Sequence, residues 1–233
     1  IFLMSISFTS SDVFYYLGIG RLAGEYNQNP YYIDMKSYID NNNVNIENDT
    51  VMQKGYSNYW ANTTVVYGAF WTIICSIVSA LSFGNIDFGL LVFKLINLIL
   101  HLGNCYLIYK ISRKKIFPLI YGLNPFILIE GIANVHNDMF VVFFMLLAIY
   151  EVYRKKKLTI GLLFLAMATD IKYFSILMLP FLIIYHFKNE ETKIRILKCI
   201  QYGAIFAIFA MIPYLLYIRY INVFLGLSEQ SKK

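Results

Sequence analysis

Asn124-Pro125-Phe126-Ile127-Leu128-Ile129-Glu130-Gly131-Ile132-Ala133-Asn134-Val135-His136-Asn137-Asp138 is apolar enough to enter a bilayer, yet it carries six polar or ionisable side chains. An ionisable group at membrane depth costs a few kcal/mol, so such groups face a protein interior or a wet cavity. Helical i, i+4 spacing predicts Glu130, Asn134 and Asp138 along one face. Apolar segments continue on both sides, which puts the cluster at the turn of a membrane hairpin. That turn is a candidate active site.

Working outward, the rest of the chain reads as an all-α, polytopic membrane helix bundle. It is 58% hydrophobic and only 15% charged, where soluble domains are about 25% charged. The formal net charge of +6 comes from basic runs between apolar segments. This is the pattern of cytoplasmic loops, not of a nucleic-acid surface. Cys75, Cys105 and Cys199 lie in apolar stretches without CxxC spacing, so neither a disulfide framework nor a zinc site is expected.

Positive-inside bias places Lys110–Lys115, Arg154–Lys157 and Lys188–Lys198 in the cytoplasm, and therefore His136–Asp138 and Asp170–Lys172 on the outer face. The expected organisation follows. Residues 1–9 end a first transmembrane helix whose start precedes the chain; 10–64 form a large, acid-rich outer loop; 84–221 form the helix bundle; and 222–233 are a polar tail. Parity requires that Val65–Phe83 does not cross, since otherwise Lys110–Lys115 would emerge outside. That segment is expected to be interfacial or re-entrant.

Three polar islands carry candidate chemistry. Asp12 is either the N-cap of a helix through Val13–Arg21 or a general base at the membrane surface, and the two roles are compatible. His136, Asn137 and Asp138, with Asn134, exceed what a capping turn needs. Lys172 either snorkels to the interface or, as an outer-face cation, meets a phosphate; Arg21 is a similar cation, with Gly18 and Gly20 permitting close approach. Two carboxylates and a histidine could ligate a divalent ion, although no spacing demands one.

The motifs Ser11-Asp12-Val13-Phe14-Tyr15-Tyr16-Leu17-Gly18-Ile19-Gly20-Arg21, Asn29-Pro30-Tyr31-Tyr32, Val66-Tyr67-Gly68-Ala69-Phe70-Trp71, Asn124-Pro125 with His136-Asn137-Asp138, and Ile171-Lys172-Tyr173 occur in that order. Together they resemble the polytopic GT-C glycosyltransferases, most closely the bacterial polyprenyl-phosphate-mannose-dependent α-1,6-mannosyltransferase-like group. The resemblance runs from Asp12 to about Pro180. Ala69 departs from it, standing where the family often has Pro.

The resemblance implies a transferase moving a sugar, mannose by the family's example, from a polyprenyl-phosphate donor to a glycan or lipid-linked acceptor at the outer face of the plasma membrane. Asp12 would be the catalytic base. Arg21, Tyr67, Asn134, His136, Asn137, Asp138 and Lys172 would bind substrate. The rival reading is a transporter or flippase of a lipid-linked sugar, since broken helices with polar residues also bind transported substrates. Against it stand the clustering of the islands at one face and the absence of a visible inverted repeat.

Overall fold

The computed structural model describes residues 10–217; the expected first-helix end at 1–9, the polar tail and the last residues of the final helix lie outside the described residues. Ten α-helices, with one π and two 3-10 segments and no strand, make up the described chain. The all-α membrane bundle expected from hydropathy is what the chain adopts. It divides into two compact units. One holds the described residues up to Asn97, Ile132–His136 and the residues from Pro213; the other holds Leu98–Gly131 and Asn137–Ile212.

The first unit is built around α1 (Asp12–Gly24), a helix with eight buried residues in thirteen. Such burial exceeds a single apolar stripe, and short helices cover it from several sides: α2 (Met35–Asn42), α3 (Thr50–Tyr56) and α4 (Ala69–Leu81). Caps set the two polar starts. Asp34 accepts the Ser37 N–H and Asp49 accepts the Met52 N–H, each satisfying an orphan donor of the first turn. α2 ends where Asn43 turns left-handed (φ 47°), at the start of the exposed asparagine-rich tract. At Gly20 α1 and α4 meet so closely that an added Cβ would lie 2.2 Å from the Cys75 carbonyl oxygen. At Gly18 the Cα of Gly55 is 3.1 Å from the same virtual atom. What approaches closely at these glycines is the neighbouring helices. Tyr16 completes the core, edge-on to Tyr67 and to Trp71 at 5.6 and 5.0 Å between centroids.

α5 (Ile86–Ser112) is 27 residues long, about 40 Å at 1.5 Å per residue. It and Thr192–Leu216 are the two helices among the described residues long and apolar enough to cross a bilayer. α6 (Ile116–Gly122) and the π segment Ile127–Ala133 would make a third span if taken as one, but they bend by 59°. The apolar stretch leading up to the polar cluster is therefore a broken one. Pro125 biases Asn124 away from helical dihedrals, and the Asn124 side chain accepts the Phe126 N–H instead.

α7 (Asp138–Tyr153) and α8 (Leu158–Ile171) form the hairpin of the second unit, followed by the 3-10 turn Tyr173–Met178, α9 (Leu179–His186) and α10 (Thr192–Met211). Leu162, Leu165, Ala148, Val152 and Phe206 form its core. α10 starts at Thr192, so Lys193, Arg195 and Lys198 lie on helical turns and not in the charged loop expected over Lys188–Lys198. Pro213 then turns the chain into the 3-10 segment Ile212–Leu216.

The three basic segments gather at one end of the second unit. Arg154 Nε donates to the Ile111 carbonyl at 3.1 Å. Lys156 donates to the Tyr185 hydroxyl at 3.4 Å, and Lys156 and Lys188 both lie 5.2 Å from the Tyr185 ring centroid.

Candidate active site

Asp12 is in the first turn of α1, and Ser11, not Asp12, is the N-cap residue. The N-cap position expected for Asp12 is thus held by Ser11, whose side chain makes no capping hydrogen bond. Its amide donates to Ser10 Oγ at 3.2 Å, while its carboxylate has no hydrogen-bond or ion-pair partner among the described residues. Four other acids of this region are committed. Asp49 accepts Arg21 Nε at 2.7 Å, Asp34 caps α2, Asp40 accepts the Tyr56 hydroxyl at 2.9 Å, and Glu25 lies 3.6 Å from Arg21. Glu47 is also uncommitted but lies exposed in the loop, whereas Asp12 sits at the start of a largely buried helix.

Arg21 is held by two carboxylates, and its side chain is 17% exposed. Asp49 anchors several groups at once: it caps α3, pairs with Arg21 and accepts the Tyr26 hydroxyl at 3.3 Å. Burial and the neighbouring Asp49 carboxylate raise the Tyr26 phenol above its usual range. Arg21 thereby ties α1 to the loop of α3, a bond between residues 28 apart that local sequence does not announce.

Tyr67 lies near the start of α4, its hydroxyl 3.4 Å from that of Tyr16. It lines a small cavity with Tyr15, Trp60, Thr63 and Val66. Asn134 is fully buried, and His136 is half-buried with its carbonyl accepting Asn97 Nδ2 at 3.3 Å. The division of the chain falls between His136 and Asn137.

The expected face of Glu130, Asn134 and Asp138 does not form. Ile127–Ala133 is a π-helix that stops before Asn134, and the chain is not helical again until Asp138, so no continuous helix carries the three residues. Val135 then adopts φ 60°, a left-handed conformation that is costly for a β-branched residue. Such irregular backbone concentrates at functional positions.

In the second unit Lys172 Nζ donates to Asp138 Oδ1 at 2.7 Å. The two predicted residues, 34 positions apart, meet directly. Beside them Asn137 is fully buried, with neither its amide oxygen nor its nitrogen paired among the described residues. Asp170 Oδ2 and Ser175 Oγ, in the same α8–turn region, are likewise buried and unpaired. Buried polar groups are normally satisfied, so this corner is equipped to take hydrogen bonds from a guest. Among the described residues no three His, Cys, Asp or Glu side chains converge on a metal position.

A polar face of α5 escaped the sequence reading. Lys94, Asn97, His101 and Asn104 recur at intervals of three and four and are all buried. His101 Nε2 lies 3.1 Å from the Gly122 carbonyl. Because a carbonyl only accepts, that nitrogen carries the proton and Nδ1 is left unpaired among the described residues. Asn104 donates to the Tyr121 hydroxyl at 2.9 Å. The periodicity was visible in the sequence, but the apolar run of Phe88–Tyr109 hid it.

No curated protein and no solved structure matches the chain. The model of one family does, over residues 2–188, which takes in the Asp12 helix, the His136-Asn137-Asp138 turn and Lys172. Over that length the chain belongs to the alpha-(1→6)-mannopyranosyltransferase N-terminal domain family.

Proposed function

We propose that this mannosyltransferase-family chain transfers mannose from a polyprenyl-phosphate donor to an acceptor hydroxyl at the outer face of the membrane, with Asp12 as general base. The observation that carries this reading is the uncommitted Asp12 carboxylate at the start of a largely buried helix, while Asp34 and Asp49 cap helices, Glu25 and Asp49 bridge to Arg21 and Asp40 accepts the Tyr56 hydroxyl. A base must be free to reach its proton and fixed enough to be aimed.

The acceptor oxygen loses its proton to Asp12 as it attacks the anomeric carbon of the donor. The bond from that carbon to the phosphate oxygen breaks, and the electron pair leaves on the lipid phosphate. Charge grows on the phosphate in the transition state, so a cation aimed there contributes most at that point. Lys172 is the cation for this role, and Asp138 holds its ammonium in the meantime. Asn134, His136 and Asn137 supply donors and acceptors for sugar hydroxyls. Arg21 fits a strut better than a phosphate grip, because two carboxylates already neutralise it. The basic ends of the hairpins, gathered together, suit the cytoplasmic side, and no observation favours a transporter.

The test is transfer of radiolabelled mannose from polyprenyl-phosphate mannose in membranes carrying the full-length protein. Asp12→Asn is expected to lower turnover by at least about 100-fold with membrane insertion intact. Near-wild-type turnover in that variant would remove Asp12 from the role.

A further inference from the structure

We infer that the small aromatic cavity one helical turn beyond Asp12 is an acceptor subsite that holds a single pyranose ring by its apolar face. The inference rests on Asp12 being the base and extends that reading to what the base acts on. The cavity measures about 180 Å³ and is lined by Tyr15, Trp60, Thr63, Val66 and Tyr67, all in the first unit.

Its position relative to Asp12 is fixed by bonds. Asn58 Nδ2 donates to the carbonyl of Ser11, the residue before Asp12, at 2.9 Å, and Asn58 Oδ1 accepts the Trp60 N–H at 3.0 Å. One amide thus joins the start of α1 to the wall of the cavity. The Tyr15 hydroxyl, three residues along the helix from Asp12, donates to the Thr63 carbonyl at 3.4 Å, and Thr63 Oγ1 donates to the Trp60 carbonyl at 2.7 Å. The cavity wall and the base are parts of one bonded frame.

Size and chemistry select the occupant. Liquid water takes about 30 Å³ per molecule, so the cavity has room for about six. That suits one sugar ring and is below the roughly 300–1,000 Å³ of a whole ligand site. The lining is aromatic and aliphatic with hydroxyls, and it has no charged side chain. A pyranose presents an apolar C–H face that packs on aromatic rings and hydroxyls that reach Tyr and Thr oxygens. Trp60 is 38% exposed and so offers ring surface to a guest.

The same neutrality distinguishes acceptor from donor. A donor sugar carries its phosphate on the anomeric carbon, within one bond of the ring, and the cavity has no cation to meet it. An acceptor ring carries none. The α-(1→6) linkage of the family name further requires a primary hydroxyl, which stands off the ring on its own carbon. A ring seated among Trp60 and Tyr67 can therefore extend that hydroxyl to Asp12. Its proton passes to the carboxylate as the oxygen bonds to the donor's anomeric carbon and the phosphate leaves with the electron pair.

The experiment uses the full-length protein in nanodiscs and has two readouts. In the first, methyl α-mannoside is titrated while acrylamide quenches tryptophan fluorescence, with Trp60→Phe defining the background; Trp71 is fully buried and contributes little to the quenching. Shielding of Trp60 is expected. In the second, Trp60→Ala is expected to raise the acceptor KM about tenfold with the donor KM unchanged, and Trp60→Phe, which keeps an aromatic face, to restore most of it. A saccharide that leaves Trp60 quenching unaltered, or a Trp60→Ala variant that moves the donor KM instead, would overturn the subsite. Shielding of Trp60 without any transfer would support the subsite and count against the lipid-phosphate donor instead.

Discussion

Gly20 has no room for a methyl group. The added carbon would press on the backbone of α4 at Cys75, which moves only with its whole helix. Gly20→Ala is expected to destabilise the first unit by about 1–3 kcal/mol, read as a lower thermal midpoint, whereas Gly203→Ala, with open space around it, should not. Arg21 makes a second prediction at this scale. Losing it leaves Asp49, with a side chain 10% exposed, short of its charge partner, so Arg21→Ala should cost about 1–3 kcal/mol. A double-mutant cycle with Asp49→Ala should show coupling. If Arg21 gripped the donor phosphate instead, the variant would keep its stability and lose donor affinity. The sequence made Gly20 readable, because two glycines in an otherwise bulky helix imply close approach. It concealed the Arg21–Asp49 and Lys172–Asp138 pairs, because partners 28 and 34 residues apart are joined only by tertiary folding.

Helices carry the next level. α1 buries Tyr15 and Tyr16, and desolvation raises both phenols well above their ordinary value, with neighbouring Tyr67 adding to the effect. A phenol whose folded pKa is raised holds its proton more tightly in the folded state. Its contribution to stability is complete below the unfolded value of about 10 and is lost as pH rises through that value towards the folded one. Alkaline titration followed at the tyrosinate band should therefore show two tyrosines ionising only as the first unit unfolds. In α5 the polar face makes a different prediction. His101→Leu leaves the Gly122 carbonyl without its donor and should cost about 1–3 kcal/mol. Leu102→Ala, on the 60% exposed side of the same helix, should change stability by about 0.5 kcal/mol or less. Hydropathy identified α5 as a span because most of its residues are apolar. The buried face was overlooked because averaging over a window erases a three-four alternation.

At the scale of the whole chain, apolar content and basic runs were enough to give the helical class and to group the three basic segments, since both follow from the cost of moving charge across lipid. The breaks were not legible. Pro125 signals an interruption but not its 59° bend, and no residue type announces a π segment. Single cysteines at Arg113, Lys155 and Glu190, in a background lacking Cys75, Cys105 and Cys199, are expected to react with an impermeant reagent only after the membrane is opened from the cytoplasmic side. A cysteine at Asn45 should react in intact cells. Labelling of Lys155 in intact cells would invert the proposed orientation.

The π segment can also be regarded as one residue too many. A turn closed at i+5 contains an additional residue compared with one closed at i+4, and each residue of an α-helix advances the chain by about 100°. Were Ile127–Ala133 to relax to ordinary α-helix with all its residues kept, each would take the larger α-helical step and the residues directly after it would swing about the helix axis. The side chains from Asn134 to His136 would then point elsewhere while hydropathy and composition stayed the same. Making the helix regular would thus leave the turn misdirected unless one residue were removed as well, and the irregularity works as a phase setting for the polar motif that follows it.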